Sequence, residues 1–474
     1  MQKLLGIDVG TSGCKVLLIN EAGSILREAS AEYSISCPHP NWSEQDPNIW
    51  IEGISKCLEE IGERKPDAIG LTGQMHGGVF LDSDSQVIRP AILWNDQRTF
   101  EESTEIEKVV GSDRIREITC NPPLTGFQLP KLIWLRKNEP DAYRRISKIL
   151  LPKDYVRFWL SGFFATDVSD ASGTAMFDVP NRRWSPEILS KMKIPDDWLP
   201  ECFESDMITT QTHGRGWFEA GIPIAAGGGD QAAAAVGTGA VVPGVTSVSL
   251  GTSGVVFTSI PEPTYHASGT THTFCHANRG WHAMGVMLSC GGALRWFRDT
   301  LGAGKGYDEL AELASRVPPG ANGLTFAPYL SGERCPFVDP FATASFSGIR
   351  LDHGISEFAR AVFEGASVGL DSAMDLLTSL GATKSEVRVT GGGAKSDFWV
   401  QMLCDMFKRS CRTMETDEGP AFGAAILAGV SIGVWESPYA ASTVALTTKK
   451  EFKPQSVDYD KVKARSKDAY PHPK

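Results

Sequence analysis

Residues 4–19 read LLGIDVGTSGCKVLLI, an apolar run, a Gly-Thr-Ser-Gly turn and a second apolar run. Residues 245–260, VTSVSLGTSGVVFTSI, repeat the pattern. Each copy is expected to form a β-hairpin whose turn carries glycine and hydroxyl groups. Glycine lets the backbone come close to a ligand, and a turn of this kind offers N–H and O–H donors to an anion. The chain therefore carries one anion-gripping hairpin in each half, and a polyphosphate held in a cleft between two similar halves is the implied ligand.

Composition narrows the class. At 474 residues the chain calls for at least two domains, and 42% apolar with 22% charged residues is the balance of a globular protein. A net charge of −11 argues against a broad nucleic-acid surface. Apolar runs are too short to cross a bilayer, and the first residues lead into a strand rather than a secretory leader, so a cytoplasmic protein is expected. The ten cysteines form no C-x-x-C pair and are read as reduced thiols. His266, His272, His276 and His282 lie close together, but with no carboxylate cluster beside them they are read as structural or substrate-lining, not as metal ligands.

Along the chain, strands at Lys3–Val9 and Cys14–Ile19 and a third strand precede a helix with Asp46 as N-cap and Pro47 at its first position. Trp50, Ile51, Ile54, Leu58 and Ile61 give that helix one apolar face. A strand at Asp67–Thr72 runs into Gly73-Gln74-Met75-His76-Gly77. Three antiparallel strands, a helix and another strand is an α/β order, but not that of a dinucleotide-binding domain. The second half repeats the outline. After its hairpin comes a long helix, about Ser356 to Leu380, stopped by Gly381, then a strand at Glu386–Thr390, the loop Gly391–Ala394 and a helix from Ser396. A last helix is expected from Pro420, after the loop Asp417–Gly419, and the boundary between halves is placed near Val242–Gly244.

Several residues are chemically suggestive. Asp8 ends the first strand beside a phosphate turn, where it would repel phosphate unless a divalent cation such as Mg²⁺ intervened; the alternative is an Asp satisfying its own turn. Ile224–Gln231 is an apolar strand ending in three glycines and Asp230, a candidate general base for a hydroxyl attacking a γ-phosphate; the alternative is a helix N-cap. A carboxylate at a helix N-terminus can do both, since the dipole favours the ionised form. Gln74, Met75 and His76, and Trp94, Asn95 and Asp96 after a strand at Ala91–Leu93, offer the amides, ring faces and carboxylate that suit a polyol, with Trp94 as core left open. Gly391, Gly392, Gly393 and Ala394 at a helix start suit an anion or ribose, and Gly419-Pro420-Ala421 suits a wall for a base.

These pieces together resemble the FGGY family of carbohydrate kinases, in the actin-like ATPase superfamily. The resemblance covers essentially the whole chain through GIDVGTSGCKVLL, PHPNWSEQDP, GQMHG, RPAILWNDQR, LLPKDYVR, GGGDQAAAAVG, SLGTSG, PYLSGERCP, SFSGIRLDHGISEFARAVFEG, TGGGAKSDFW and EGPAFGAA. PKLIWLRKN fits the latter part of a first signature, although Gln128 stands where Thr, Ser or Pro is usual. The family implies two actin-like (ribonuclease H-like) α/β domains, 1–242 and 243–474, with ATP and sugar meeting in the cleft between them. It implies Asp230 as base, Asp8 near Mg²⁺, and Thr11, Ser12, Lys15, Gly251, Thr252 and Ser253 along the phosphates. It further implies Gly391–Ala394 and Gly419–Ala421 around the adenosine, and a ketose acceptor, D-xylulose. Members acting on that sugar commonly have Asn after the base; this chain has Gln231, as glycerol-phosphorylating members do, and Gln231 is expected at the sugar.

Three other readings compete, one of them a catalytically dead sugar-binding relative, against which the intact Asp8 and Asp230 argue. An actin- or Hsp70-like ATP switch would share the hairpins and Asp8 but has no need of QMHG, WND or GGGD. A kinase of ribulose, a hexulose, a polyol or glycerol would keep the reaction and change the acceptor. The partners expected are ATP and a small sugar, with no nucleic acid or membrane; the oligomeric state is left open, a homodimer included.

Overall fold

The computed structural model describes residues 1–415 and 419–469; of the expected loop at 417–419, Asp417 and Glu418 lie outside them. The described chain forms two compact units. One holds residues 1–241, 273–281 and 418–446, the other 242–272, 282–417 and 447–474.

In the first unit, β1 (Leu4–Val9), β2 (Gly13–Ile19), β3 (Ile25–Glu32), β4 (Ala68–Gly73), β5 (Ile208–His213) and β6 (Ala220–Ala225) run in the order β5-β6-β4-β1-β2-β3. β1 is antiparallel to β2 and parallel to β4, and β4 is parallel to β6 and to the two-residue strand Gly228–Gly229. In the second unit, β7 (Gly244–Leu250), β8 (Gly254–Ile260), β9 (Lys384–Thr390), β10 (Ser410–Met414) and β11 (Thr448–Phe452) run β8-β7-β9-β10-β11. Again the first hairpin strand is antiparallel to its hairpin partner and parallel to the strand that follows a helix. The duplicated hairpin is thus embedded in a duplicated mixed sheet.

The helix Pro47–Ile61 starts as its cap residues dictate: the Asp46 side chain accepts from the Asn48 N–H, and Gly62 closes it at φ 67°. Trp50, Ile54, Leu58 and Ile61 are buried and pack with Leu5, Ile7, Val9, Val16 and Leu18 in one core, while Ile51 is only partly buried. The long helix runs Ile355–Ser379, and Gly381 follows it at φ 89° with its N–H on the Thr378 carbonyl. Among the described residues no helix is long and apolar enough to cross a membrane.

Two expectations need correction. The helix expected from Pro420 runs Gly419–Ser431, and it is not the last: Pro438–Ala445 and Asp460–Asp468 follow. The first of these is announced by a Ser437 cap and Pro438, whereas Asp460–Asp468 is polar and buries only Val462, so it has no apolar stripe to read. The helix Gly419–Ser431 also belongs to the compact unit built from the start of the chain. It lies against β1, β4 and the helix Asp230–Thr238 so closely that glycine is required on both sides. A Cβ on Gly6 would stand 2.0 Å from the Ala421 carbonyl oxygen, one on Gly70 1.8 Å from that of Ala424, and one on Gly423 1.8 Å from that of Ala233.

Gly70→Ala should therefore destabilise the chain by roughly 1–3 kcal/mol through overpacking, while Gly392→Ala, which meets nothing within 4 Å, should not. Thermal unfolding of both variants checks this; equal melting temperatures would contradict the packing.

Candidate active site

The candidate site of the first unit is built on the carboxyl ends of three parallel strands. Asp8 of β1 and Gly228 both pair with Thr72 of β4, and Val9 and Gly229 both pair with Gly73. Asp8, Gln74 and Asp230 consequently leave the sheet at one edge, where open α/β sheets bind ligands. Gly227 at φ 72° makes the approach possible, since a Cβ there would lie 1.9 Å from the Leu71 carbonyl oxygen.

Asp230 is the first residue of the helix Asp230–Thr238, with Gly229 rather than Asp230 as the N-cap. Burial pushes its carboxyl up to about 6, while the main-chain N–H and side-chain amide of Gln231 pull the other way. Burial therefore outweighs the ionising pull of the helix terminus. Gln231, expected to reach a sugar, follows that carboxyl directly in the chain. Asp8 is pushed up to about 7, first by burial and then by the Asp230 charge, with Lys15 acting in the opposite sense. Its Oδ1 is buried with no hydrogen-bond partner.

The first Gly-Thr-Ser-Gly turn is held from behind. Tyr33 Oη donates to the Gly10 carbonyl at 2.7 Å, Gln74 Nε2 to the same oxygen at 3.3 Å, and Gln45 Nε2 to the Thr11 carbonyl at 2.8 Å. Because C=O and N–H point oppositely across a trans peptide, these contacts aim the Thr11 and Ser12 N–H groups the other way. Trp94 is 39% exposed, so it is not core, and its Nε1–H donates to Thr11 Oγ1 at 2.9 Å. Lys15 is paired across the hairpin with Asp8 and lies 3.2 Å from Glu28.

The expected sugar residues divide. Met75 is buried against Gly229, where a Cβ would stand 2.9 Å from its Cγ. His76 adopts φ 68°, its Nδ1–H donates to the Gly173 carbonyl at 2.7 Å, and its ring stacks on Phe127 at 4.6 Å. Gln74 is buried and tied to Gln45 and Gly10, leaving Oε1 without a partner. Asn95 keeps a buried, unpartnered Oδ1. Asp96 is fully buried and accepts from the Ser43 N–H at 2.7 Å and from Arg98 Nη2 at 2.6 Å, so it stabilises the loop instead of facing a ligand. Of the clustered histidines, His276 is buried, donates from Nε2 to the Ala240 carbonyl at 3.0 Å, and is pushed down to about 4 by burial; His282 stacks on Phe257.

The second unit carries its own turn and a cavity of about 760 Å³, in the size range of small-molecule sites. The Gly291 N–H donates to the Gly251 carbonyl at 2.8 Å, and the Cys290 and Gly292 N–H groups donate to that of Thr252 at 2.9 and 3.0 Å. By the same peptide geometry the Thr252 and Ser253 N–H groups face away from that loop. Gly391, at φ 82°, and Gly393 pack on Leu250, the residue that ends β7. Ser396 caps the helix Asp397–Phe407 and lines the cavity with Thr252, Gly392 and Gly393. Gly419 and Pro420, expected beside them, belong to the other compact unit. Sequence reading missed Gln45, Tyr33, Phe127, Arg295 and Tyr307, the last two lining the cavity. Gln45 stands within the quoted PHPNWSEQDP stretch, its one available signal.

Comparison with known proteins places this geometry. Residues 3–237 match the N-terminal domain model of the FGGY family of carbohydrate kinases, and residues 246–432 match the C-terminal one. The chain is 41% identical to the xylulose kinase of Escherichia coli, over 90% of each chain. It is 36% identical to that of Bacillus subtilis, over 92% of this chain and 90% of the other. The crystal structure of a xyloylose kinase from Brucella ovis superimposes with a TM-score of 0.93 at 36% identity, covering 99% of both chains. The two mixed sheets are those of the actin-like ATPase fold, and the chain belongs to the FGGY family of carbohydrate kinases, enzymes that phosphorylate a sugar with ATP.

Proposed function

We propose that this carbohydrate kinase phosphorylates D-xylulose to D-xylulose 5-phosphate, with Asp230 as general base. The acceptor rests on the relatives at 41% and 36% identity, each a xylulose kinase matched over about nine-tenths of its length. The base rests on the placement of Asp230 one residue beyond Gly229, which shares a rung with Val9 and Gly73 at the strand ends beside Asp8 and packs on Met75. The hydroxyl oxygen attacks the γ-phosphorus, its proton passes to the Asp230 carboxylate, and ADP leaves. His76, Met75, Asn95 and the open face of Trp94 are the proposed sugar contacts, with Phe127 fixing the imidazole plane. Asp96 and Gln74 hold these loops in place.

The residues fit a divalent cation, since Asp8 keeps a buried oxygen without a partner beside a phosphate turn. Asp8 would hold Mg²⁺, which when bound neutralises charge on the β- and γ-phosphates. Thr11, Ser12, Lys15, Thr252 and Ser253 grip the phosphates, and the cavity bounded by Tyr307, Gly392 and Ser396 takes the adenosine. We take 1–242 and 243–474 as the two catalytic domains, bracketed by the two family models, and a cytoplasmic setting suits the need for ATP.

ADP release should be fastest with D-xylulose in a panel of pentuloses, hexuloses, polyols and glycerol; no release with D-xylulose and release with another acceptor would overturn the substrate. Asp230→Asn should lower kcat by about 10²–10⁴ while the chain stays folded. A variant keeping more than about a tenth of the rate removes Asp230 as base.

The pH profile supplies a third check. A base must be ionised, and a carboxyl raised to about 6 takes up its proton as pH falls through that value. The kcat/KM for sugar should therefore fall below about pH 6, approaching about tenfold per pH unit. A flat profile from pH 5 to about 8 would contradict the assignment.

A further inference from the structure

Beneath Asp230 lies a group of charged side chains that the reaction does not use. Lys153, Asp154, Arg157, Asp167 and Asp170 are all fully buried. Lys153 Nζ lies 2.6 Å from Asp154, 3.0 Å from Asp167 and 3.6 Å from Asp170. Burying five charges is costly unless the geometry is well satisfied, so they are a poor source of stability. Their contacts point elsewhere, to the segment that delivers Asp230.

Arg157 donates from Nη1 to the Ala225 carbonyl at 2.7 Å and from Nη2 to the Ala226 carbonyl. Ser205 accepts the Gly227 N–H on its carbonyl at 3.0 Å and donates its hydroxyl to Asp167 Oδ2 at 2.8 Å. Ser169 accepts the Gly229 N–H on Oγ at 3.1 Å and donates to the same Asp167 oxygen at 2.5 Å. Peptide groups at 225, 226, 227 and 229 are thus fastened to one ionic cluster, and Asp230 is the next residue. Three consecutive glycines, 227–229, would otherwise leave this stretch free to move.

We propose that Asp167, with Arg157 and Lys153 around it and Ser169 as its link, is a positioning device that fixes the Asp230 carboxylate against the acceptor hydroxyl. This rests on Asp230 being the base. The device acts through the backbone: Lys153 holds the Asp167 carboxylate, Asp167 orients the Ser169 hydroxyl, and that hydroxyl holds Gly229. A displacement of about 1 Å at a reacting group can cost on the order of 10²-fold in rate.

The test is a double-mutant cycle between Ser169→Ala and Asp230→Asn on the full chain, assayed by ADP release with D-xylulose. Ser169→Ala alone should lower kcat by about 10- to 100-fold, leave the KM for ATP within about twofold, and move the acidic limb of the pH profile. In the Asp230→Asn background the same change should alter the residual rate by less than about twofold, because the residue it positions is gone. A kcat for Ser169→Ala within about twofold of wild type, or an equal loss in both backgrounds, overturns the proposal. If Ser169→Ala does not fold, Ser205→Ala, which loosens Asp167 while keeping the Gly227 bond, takes its place under the same criteria. An active Asp230→Asn enzyme instead sinks the base reading, and does so independently of what Ser169→Ala shows in the wild type.

Discussion

The strand ends that carry Asp8 and lead to Asp230 depend on the register of three parallel strand segments. Asp8, Thr72 and Gly228 share one rung, and Val9, Gly73 and Gly229 the next, so the chain leaves the sheet three times at the same edge. Everything placed there is short: an Asp at the end of β1, a Gln-Met-His loop after β4, and an Asp one residue beyond the last rung. A slip of one residue in any pairing would turn these side chains to the opposite face. The close-packed glycines Gly6, Gly70 and Gly423 fix the helix beneath and leave the strands no room to shift.

That register carries an electrostatic cost with a chemical use. Burial pushes both carboxyls up, Asp8 to about 7 with the Asp230 charge adding to it, and Asp230 to about 6. A base that titrates near the working pH transfers protons efficiently in both directions. The carbonyl groups of both phosphate turns are bound from behind by Tyr33, Gln45 and Gln74 in one unit and by residues 290–292 in the other. Under the proposed function, the N–H edges that would meet the phosphates are therefore set before any ligand arrives, which is preorganisation of the kind phosphoryl transfer relies on.

Much of this was legible in the residues because it is local. A hairpin turn, an Asp-Pro helix start and a Gly stop each declare themselves within a few positions, and the repeat of the hairpin announced the repeat of the sheet. Asp96 shows the limit: it reads as an open carboxylate until Arg98, two residues on, is seen to fold back onto it. Gln45 reaches Thr11 across 34 residues and Ser205 reaches Asp167 across 38, distances over which no pattern in one sequence pairs donors with acceptors. Gln231 is a different case. Its amide has the length to serve either a sugar or its own neighbour, and residue type alone does not separate the two.

A crystal structure with D-xylulose bound tests the central claim most directly. The account predicts the phosphoryl-accepting hydroxyl within about 3 Å of an Asp230 carboxylate oxygen, with the sugar against Met75 and His76. A sugar seated elsewhere, or one whose accepting hydroxyl faces a base other than Asp230, would contradict it.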